Sequence, residues 1–255
     1  MKKYLKNFIV NSAASCGNGY VLLKMRPADG SMPPSRPGQF VEIQIAGAPD
    51  TFLRRPISIN FVTDSELWLL VKDAGKGTHT LCMAQEGAEF SIMLPLGRGF
   101  SMPACGSRAL LVGGGVGIAP MLYLGSELKK AGVEPEFLIG ARKASDLLQI
   151  ADMEAFGTVH ICTEDGSAGV RGLVTAHPAL AEKFDIIYCC GPLPMMKAVA
   201  AAASATGSPC EVSLENKMAC GVGACLCCVE DTREGHKCVC TDGPVFNINE
   251  LKWQI

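Results

Sequence analysis

Apolar positions in the first hundred residues come in short runs that alternate with polar ones and are cut by turn formers. FIVNSAASCGNGYVLLKMRP reads as two strands joined by a Gly/Asn turn, and PGQFVEIQIAG as a Pro–Gly turn running into an alternating strand. RRPISINFV, ELWLLVKDA and EFSIMLPLGRGF continue in the same manner, with THTLCMAQ the one brief helical stretch. Such a series predicts a small antiparallel β-barrel. The period changes at residue 108, where RALLVGGGVGIAPMLYLGSELKKAG reads as strand, glycine turn and helix, ending at Gly132. EPEFLIGAR is a second strand, ASDLLQIADMEAFG a second helix, TVHICTEDG a third strand, and DIIYCCGPLPMMKAVAAAASATG a further strand, turn and alanine-rich helix. Short connections between alternating strands and helices predict a doubly wound parallel sheet. The expected organisation is therefore a barrel over residues 1–101, an α/β unit over 102–208 and a small C-terminal unit over 209–255.

Composition narrows the function classes. The chain has 255 residues, 48% of them hydrophobic and 19% charged, with net charge −2. It is globular, and its charge gives no general attraction to nucleic acid. No run reaches the roughly 18 apolar residues that cross a bilayer. The basic opening MKKYLKNFIVNSAASC carries too short an apolar run for a signal-peptide core. A reducing, cytoplasmic location is expected, with no membrane and no nucleic-acid partner. In that setting 13 cysteines are more readily thiols, ligands or redox groups than disulfides.

Seven of the cysteines lie between Cys210 and Cys240. Cys220, Cys225 and Cys228 form C-x4-C-x2-C, and Cys240 follows in VCTDGPVF. This is the spacing of a plant-type [2Fe–2S] site, in which one tight loop supplies three thiolates and a returning segment the fourth. Gly221 and Gly223 allow the backbone to wrap closely and aim amides at sulfur. Zinc and a thioredoxin-like Cys225/Cys228 redox pair remain alternatives, and Cys227 and Cys238 compete as ligands by composition alone. A cluster of this type moves single electrons, so a two-electron partner is expected elsewhere in the chain.

GGGVGIAP departs from the dinucleotide fingerprint, reading G-x-G-x-x-P from Gly115 through Gly117 to Pro120. It still permits a tight strand-to-helix turn and a close approach to phosphate, and CCGPLPM offers a second glycine loop that would face the same crevice. The second strand ends GARK with no ribose-binding acid, whereas the third ends at Glu164 and Asp165, which favours NADH over NADPH if they line the rim. In the first unit, Arg54 or Arg55 could clamp a pyrophosphate, Ser58 could bond a flavin ring, and Gly77 and Thr78 open the brief helix.

These motifs together resemble the ferredoxin-reductase superfamily, and within it most closely the family of electron transfer subunits of class 1B dihydroorotate dehydrogenase. RRPIS at 54–58, KGTHTL at 76–81, LPLGRGF at 94–100, VGGGVGIAP at 112–120, CGPLPM at 190–195 and ENKMACGVGACLCCVE with VCTDGPVF carry the resemblance over nearly the whole chain. It implies FAD held by Arg55, Pro56, Ile57, Ser58, Lys72, Gly77 and Thr78. It further implies NAD held by Gly114, Gly115, Gly117, Cys190, Gly191 and Pro192, and a [2Fe–2S] cluster on Cys220, Cys225, Cys228 and Cys240. Cys227 and Lys217 depart from the family pattern. The implied activity passes electrons from a separate FMN-containing catalytic subunit that oxidises dihydroorotate, through the cluster and FAD, to NAD+ in pyrimidine biosynthesis. The implied assembly is a heterotetramer with two of each subunit. No acid–base catalyst is nominated, and the histidines at 79, 160, 177 and 236 read as incidental. The rivals are the reductase subunit of a ferredoxin:NADP transhydrogenase or sulfhydrogenase, an oxygenase reductase, and a zinc-binding interaction protein.

Overall fold

Gly17, Asn18 and Gly19 all take positive φ, and this turn closes a hairpin between β1 (Tyr4–Gly17) and β2 (Tyr20–Pro27). The computed structural model describes residues 2–45 and 51–254. β3 (Phe40–Ile43), β4 (Arg55–Ser58), β5 (Phe61–Val62), β6 (Leu67–Lys72), the short helix α1 (Lys76–Cys82) and β7 (Glu89–Leu96) follow. The strands join one seven-stranded sheet in the order β4-β3-β7-β1-β2-β6-β5, with every pairing antiparallel. Phe8, Leu23, Met25, Ile59, Leu69 and Ile92 close its interior with almost no exposed surface. β3 is buried at all four positions, so both of its faces are covered.

The parallel sheet is built from β8 (Arg108–Gly114), α2 (Ala119–Lys130), β9 (Glu134–Ala141), α3 (Ile150–Glu154), β10 (Thr158–Thr163), β11 (Val170–Arg171), β12 (Ile186–Cys190), α4 (Leu193–Thr206) and β13 (Cys210–Ser213). β14 (Val229–Thr232) and β15 (Gly235–Cys238) form a separate two-stranded hairpin, and β16 (Val245–Asn247) returns to the parallel sheet. The strand order is β11-β10-β9-β8-β12-β13-β16, with β16 antiparallel to β13. The order reverses between β8 and β12, which is where doubly wound sheets open a ligand crevice at their strand ends. α2 lies close to β9 because Gly125 has no side chain; a Cβ there would run into the Phe137 ring.

Two expected features differ in detail. The predicted second helix is shortened to a 3-10 turn at Ala144–Asp146 and to α3, separated by Gln149 at φ 53. Leu148 is drawn into the core there, and the left-handed Gln149 stops the helical run. The segment after residue 208 is shared rather than separate. By internal contacts one unit comprises Met1–Gly99, Glu215–Glu230 and Lys237–Pro244, and the other Phe100–Leu214, Asp231–His236 and Val245–Ile255. The apolar strands β13 and β16 extend the parallel sheet, while the cysteine loop belongs with the antiparallel one.

Candidate functional site

The loop from Cys220 to Cys228 has no helix or strand of its own. Its shape comes from Gly221 and Gly223, at φ +66 and +81, and from Leu226 at φ 58. The turns point backbone donors at sulfur. Val222, Ala224 and Cys225 donate N–H bonds to Cys220 Sγ at 3.4, 3.3 and 3.4 Å. Gly223 N–H donates to Cys240 Sγ at 3.2 Å, and Cys240 N–H to Cys228 Sγ at 3.4 Å. The Cys225 thiol lies beside Cys220, and the Cys240 thiol beside Cys228. Cys238 also reaches the Cys228 sulfur.

The pairs differ in surroundings. Burial pushes the Cys220 thiol up, but the amides of Val222 and Cys225, the Cys225 thiol and the Ala224 amide outweigh it and bring Cys220 down to about 6. Cys240 is fully buried; burial and the bond to Cys228 push it up to about 12 against the Gly223 amide. Among the described residues no three His, Cys, Asp or Glu side chains converge as a single metal ion requires. A tetrahedral zinc would draw all its sulfurs to about 2.3 Å from one point. Sulfurs met by inward backbone amides suit a cluster that carries negative charge on its thiolates.

Beneath the loop lies Glu42, on β3. It has 0% exposure, and no donor among the described residues reaches either carboxylate oxygen. A Cβ on Gly221 would come within 2.9 Å of Glu42 Cγ, 3.1 Å of Leu96 Cδ1 and 3.2 Å of Met93 Cε, and with its φ of +66 this position favours glycine. Burial pushes Glu42 up to about 7; Arg54 pulls it down, Cys220 raises it further and Arg55 lowers it. PGQFVEIQIAG reads as an alternating strand, and nothing in that pattern marks Glu42 as buried. The cysteine loop covering that face is 180 residues further along the chain, beyond the reach of local periodicity.

The strand expected to hold flavin, β4, forms one end of the antiparallel sheet, and Arg55, Pro56, Ile57 and Ser58 are all half-buried. The two arginines separate in role. Arg54 donates to the Ser91 carbonyl at 2.6 Å, Ser91 Oγ at 3.0 Å and Gln44 Oε1 at 3.2 Å, tying β4 to its neighbours. Arg55 lies against Gly77 so closely that a Cβ there would sit 2.5 Å from Arg55 Nε. Thr78 Oγ1 accepts from the Ala74 and Gly75 amides at 3.0 and 3.1 Å and so fixes the start of α1. Arg55, Gly77 and Thr78 are thus gathered in one place. Lys72, at the exposed end of β6, holds its ammonium 5.6 Å from the Tyr20 ring.

In the parallel sheet the two glycine loops meet. A Cβ on Gly117 would run into the Cys190 carbonyl, and one on Gly114 would lie 2.5 Å from Met195 Sδ and 3.5 Å from Pro192 Cδ. A Cβ on Gly191 would stand 3.2 Å from the Gly114 carbonyl oxygen. Gly115, at φ 58, turns the chain out of β8 into a 3-10 turn ahead of α2. Gly114, Gly115, Gly117, Cys190, Gly191 and Pro192 therefore line the ends of β8 and β12 at the reversal of strand order. Met195 is the packing partner of both loops, and it too went unread in CGPLPM. Asp165 is held by Ser167, whose Oγ donates at 2.6 Å and whose amide donates at 2.9 Å, while Glu164 is exposed. The histidines serve local contacts, such as His160 with Glu136 at 3.1 Å and His79 with Asp73 at 2.8 Å.

An antiparallel barrel-like sheet, a doubly wound sheet with a glycine crevice and a paired-thiol loop define a class: reductases of the ferredoxin-reductase fold that carry an iron–sulfur centre. A family model described as the iron–sulfur cluster binding domain of dihydroorotate dehydrogenase B matches residues 215–252. The dihydroorotate dehydrogenase B (NAD(+)), electron transfer subunit of Bacillus caldolyticus is 39% identical over 224 residues, covering 85% of this chain and 86% of its own length. The protein of that name from Listeria monocytogenes serotype 4a is 42% identical over 224 residues, covering 84% and 87%. The solved structure of an NADH-dependent reduced ferredoxin-NADP oxidoreductase, a study of flavin-based electron bifurcation, matches with TM-score 0.86 at 30% identity, over 96% of this chain and 90% of that one. The chain belongs to the family of dihydroorotate dehydrogenase B (NAD+) electron transfer subunits. It is an NAD-linked flavin and iron–sulfur oxidoreductase subunit, with FAD, [2Fe–2S] and NAD as its cofactor set, and it works with a catalytic subunit. No helix among the described residues is long and apolar enough to cross a membrane.

Proposed function

We propose that this chain accepts electrons from an FMN-containing subunit that oxidises dihydroorotate, in a cytoplasmic heterotetramer with two of each subunit, and that its own residues divide the work as follows. Cys220 with Cys225, and Cys228 with Cys240, hold the irons, and the surrounding amides stabilise the thiolates against loss of metal. Arg55, Gly77 and Thr78 receive the flavin pyrophosphate, with Pro56, Ile57 and Ser58 along the ring and Lys72 near the phosphates. Gly114, Gly115, Gly117, Cys190, Gly191 and Pro192 receive the nicotinamide nucleotide at the ends of β8 and β12, where the strand order reverses. When bound, FAD supplies the exchange between single-electron and hydride chemistry. The observation that carries this reading is the set of backbone amides turned onto the sulfurs of Cys220, Cys228 and Cys240 in a chain of this family.

Purification of the native complex tests it. The companion should contain FMN, and the complex should reduce NAD+ with dihydroorotate while this chain alone does not. A second reading draws on the 30% identity to the ferredoxin-NADP oxidoreductase chain. A companion that acts on ferredoxin, sulfur or hydrogen, with no dihydroorotate activity, would replace the first reading with the second.

A further inference from the structure

Glu42 is an anomaly as a purely structural residue. A buried carboxylate without donors is costly, and folds ordinarily pair or solvate such groups. Its oxygens have no donor among the described residues, although two arginines are close by. Arg54 bonds the backbone carbonyl of Glu42 at 3.3 Å and turns its other donors to Ser91 and Gln44, and Arg55 lies against Gly77. The carboxylate sits instead directly under the cysteine loop, with Gly221, next to Cys220 in the chain, pressed onto its Cγ. The loop's backbone amides stabilise negative charge on the sulfurs, whereas Glu42, when ionised, sets a negative charge against it. Glu42 itself has no exposed surface, so its charge is screened less than that of a surface carboxylate.

We propose that Glu42 is a potential-setting residue of the iron–sulfur centre: its buried carboxylate, held under the Cys220–Cys225 loop, opposes the arrival of an electron and keeps the cluster's reduction potential low. It acts through the field at the cluster and needs no contact with substrate or flavin. Placed so, it limits how long an electron rests on the cluster and favours passage onward. The inference rests on the reading of the four cysteines as cluster ligands.

The test uses the native complex across a pH series and follows the cluster by its reduced-state paramagnetic signal during a redox titration. Glu42→Gln should shift the midpoint to more positive potential, giving a roughly tenfold larger reduced-to-oxidised ratio at fixed ambient potential. Glu42→Asp, which keeps the charge, should stay nearer the unsubstituted protein. Glu42→Met serves as a second neutral variant. Iron and acid-labile sulfide are measured in every sample. Full iron with an unchanged midpoint in the neutral variants overturns the role given to Glu42. Loss of the cluster in both neutral variants also overturns it, because the carboxyl would then be needed to build the loop. Absence of iron and sulfide from the unsubstituted protein sinks the ligand assignment itself, a separate failure.

Discussion

On the proposed assignment, the thiol loop and the glycine crevice bind by opposite means. The loop works by what its side chains contribute: four sulfurs, with backbone amides turned to meet them. The crevice works by what side chains leave out, because Gly114, Gly117 and Gly191 are places where even a methyl group would strike neighbouring atoms. A site of the first kind fails when a donor is removed. A site of the second kind fails when an atom is added.

The largest effect should come from removing a donor in the buried pair. Cys228→Ser should strip the iron and cut dihydroorotate-dependent NAD+ reduction by at least about 100-fold, since a ligand matters more than the outer-shell partners that give 10- to 100-fold losses. NADH oxidation with an artificial acceptor, which needs only the flavin and the crevice, should persist. If that diaphorase activity fell in step with the iron, the two sites would not be separable in this way. Adding atoms should give the converse. Gly117→Val drives a side chain into the Cys190 carbonyl, and a steric cost of 1–3 kcal/mol corresponds to roughly 5- to 150-fold weaker NADH binding. Iron content and the visible spectrum should be unchanged, and titration of the purified complex with NADH reads the difference. The smallest effect is expected at the rim. Asp165 is engaged by Ser167, which leaves Glu164 as the charge free to face a 2′-substituent. Glu164→Gln should move the NADH-to-NADPH preference by only a few-fold, as befits an exposed charge. A ratio that does not move at all would remove this residue from nucleotide selection.

The same contrast explains what could be read in advance. The cysteine spacing and the glycine runs are local signals, and the structure gathers both sets. The β1–β2 hairpin was legible for the same reason, since Gly17, Asn18 and Gly19 are the residues that tolerate positive φ. What escaped depends on distant covering. Glu42 stood unmarked in an alternating strand until a loop from far along the chain closed over it. Met195 looked like part of an ordinary helix start, yet it fills the space that two glycines leave. α3 failed at Gln149, a residue whose composition gives no warning of a left-handed conformation.

β13 and β16 pair through Ser213↔Val245 and Val212↔Phe246, so the stretch from 214 to 244 leaves the parallel sheet and re-enters it at adjacent positions. In architectural terms the electron-carrying module is an insertion with pinned ends, not an appendage. The entropy of closing it is already met by the ladder at its base, and that cost grows only slowly with the length enclosed. Stripped of iron, the host sheet should keep its outer strands in register, and reconstitution should need only the enclosed stretch to refold.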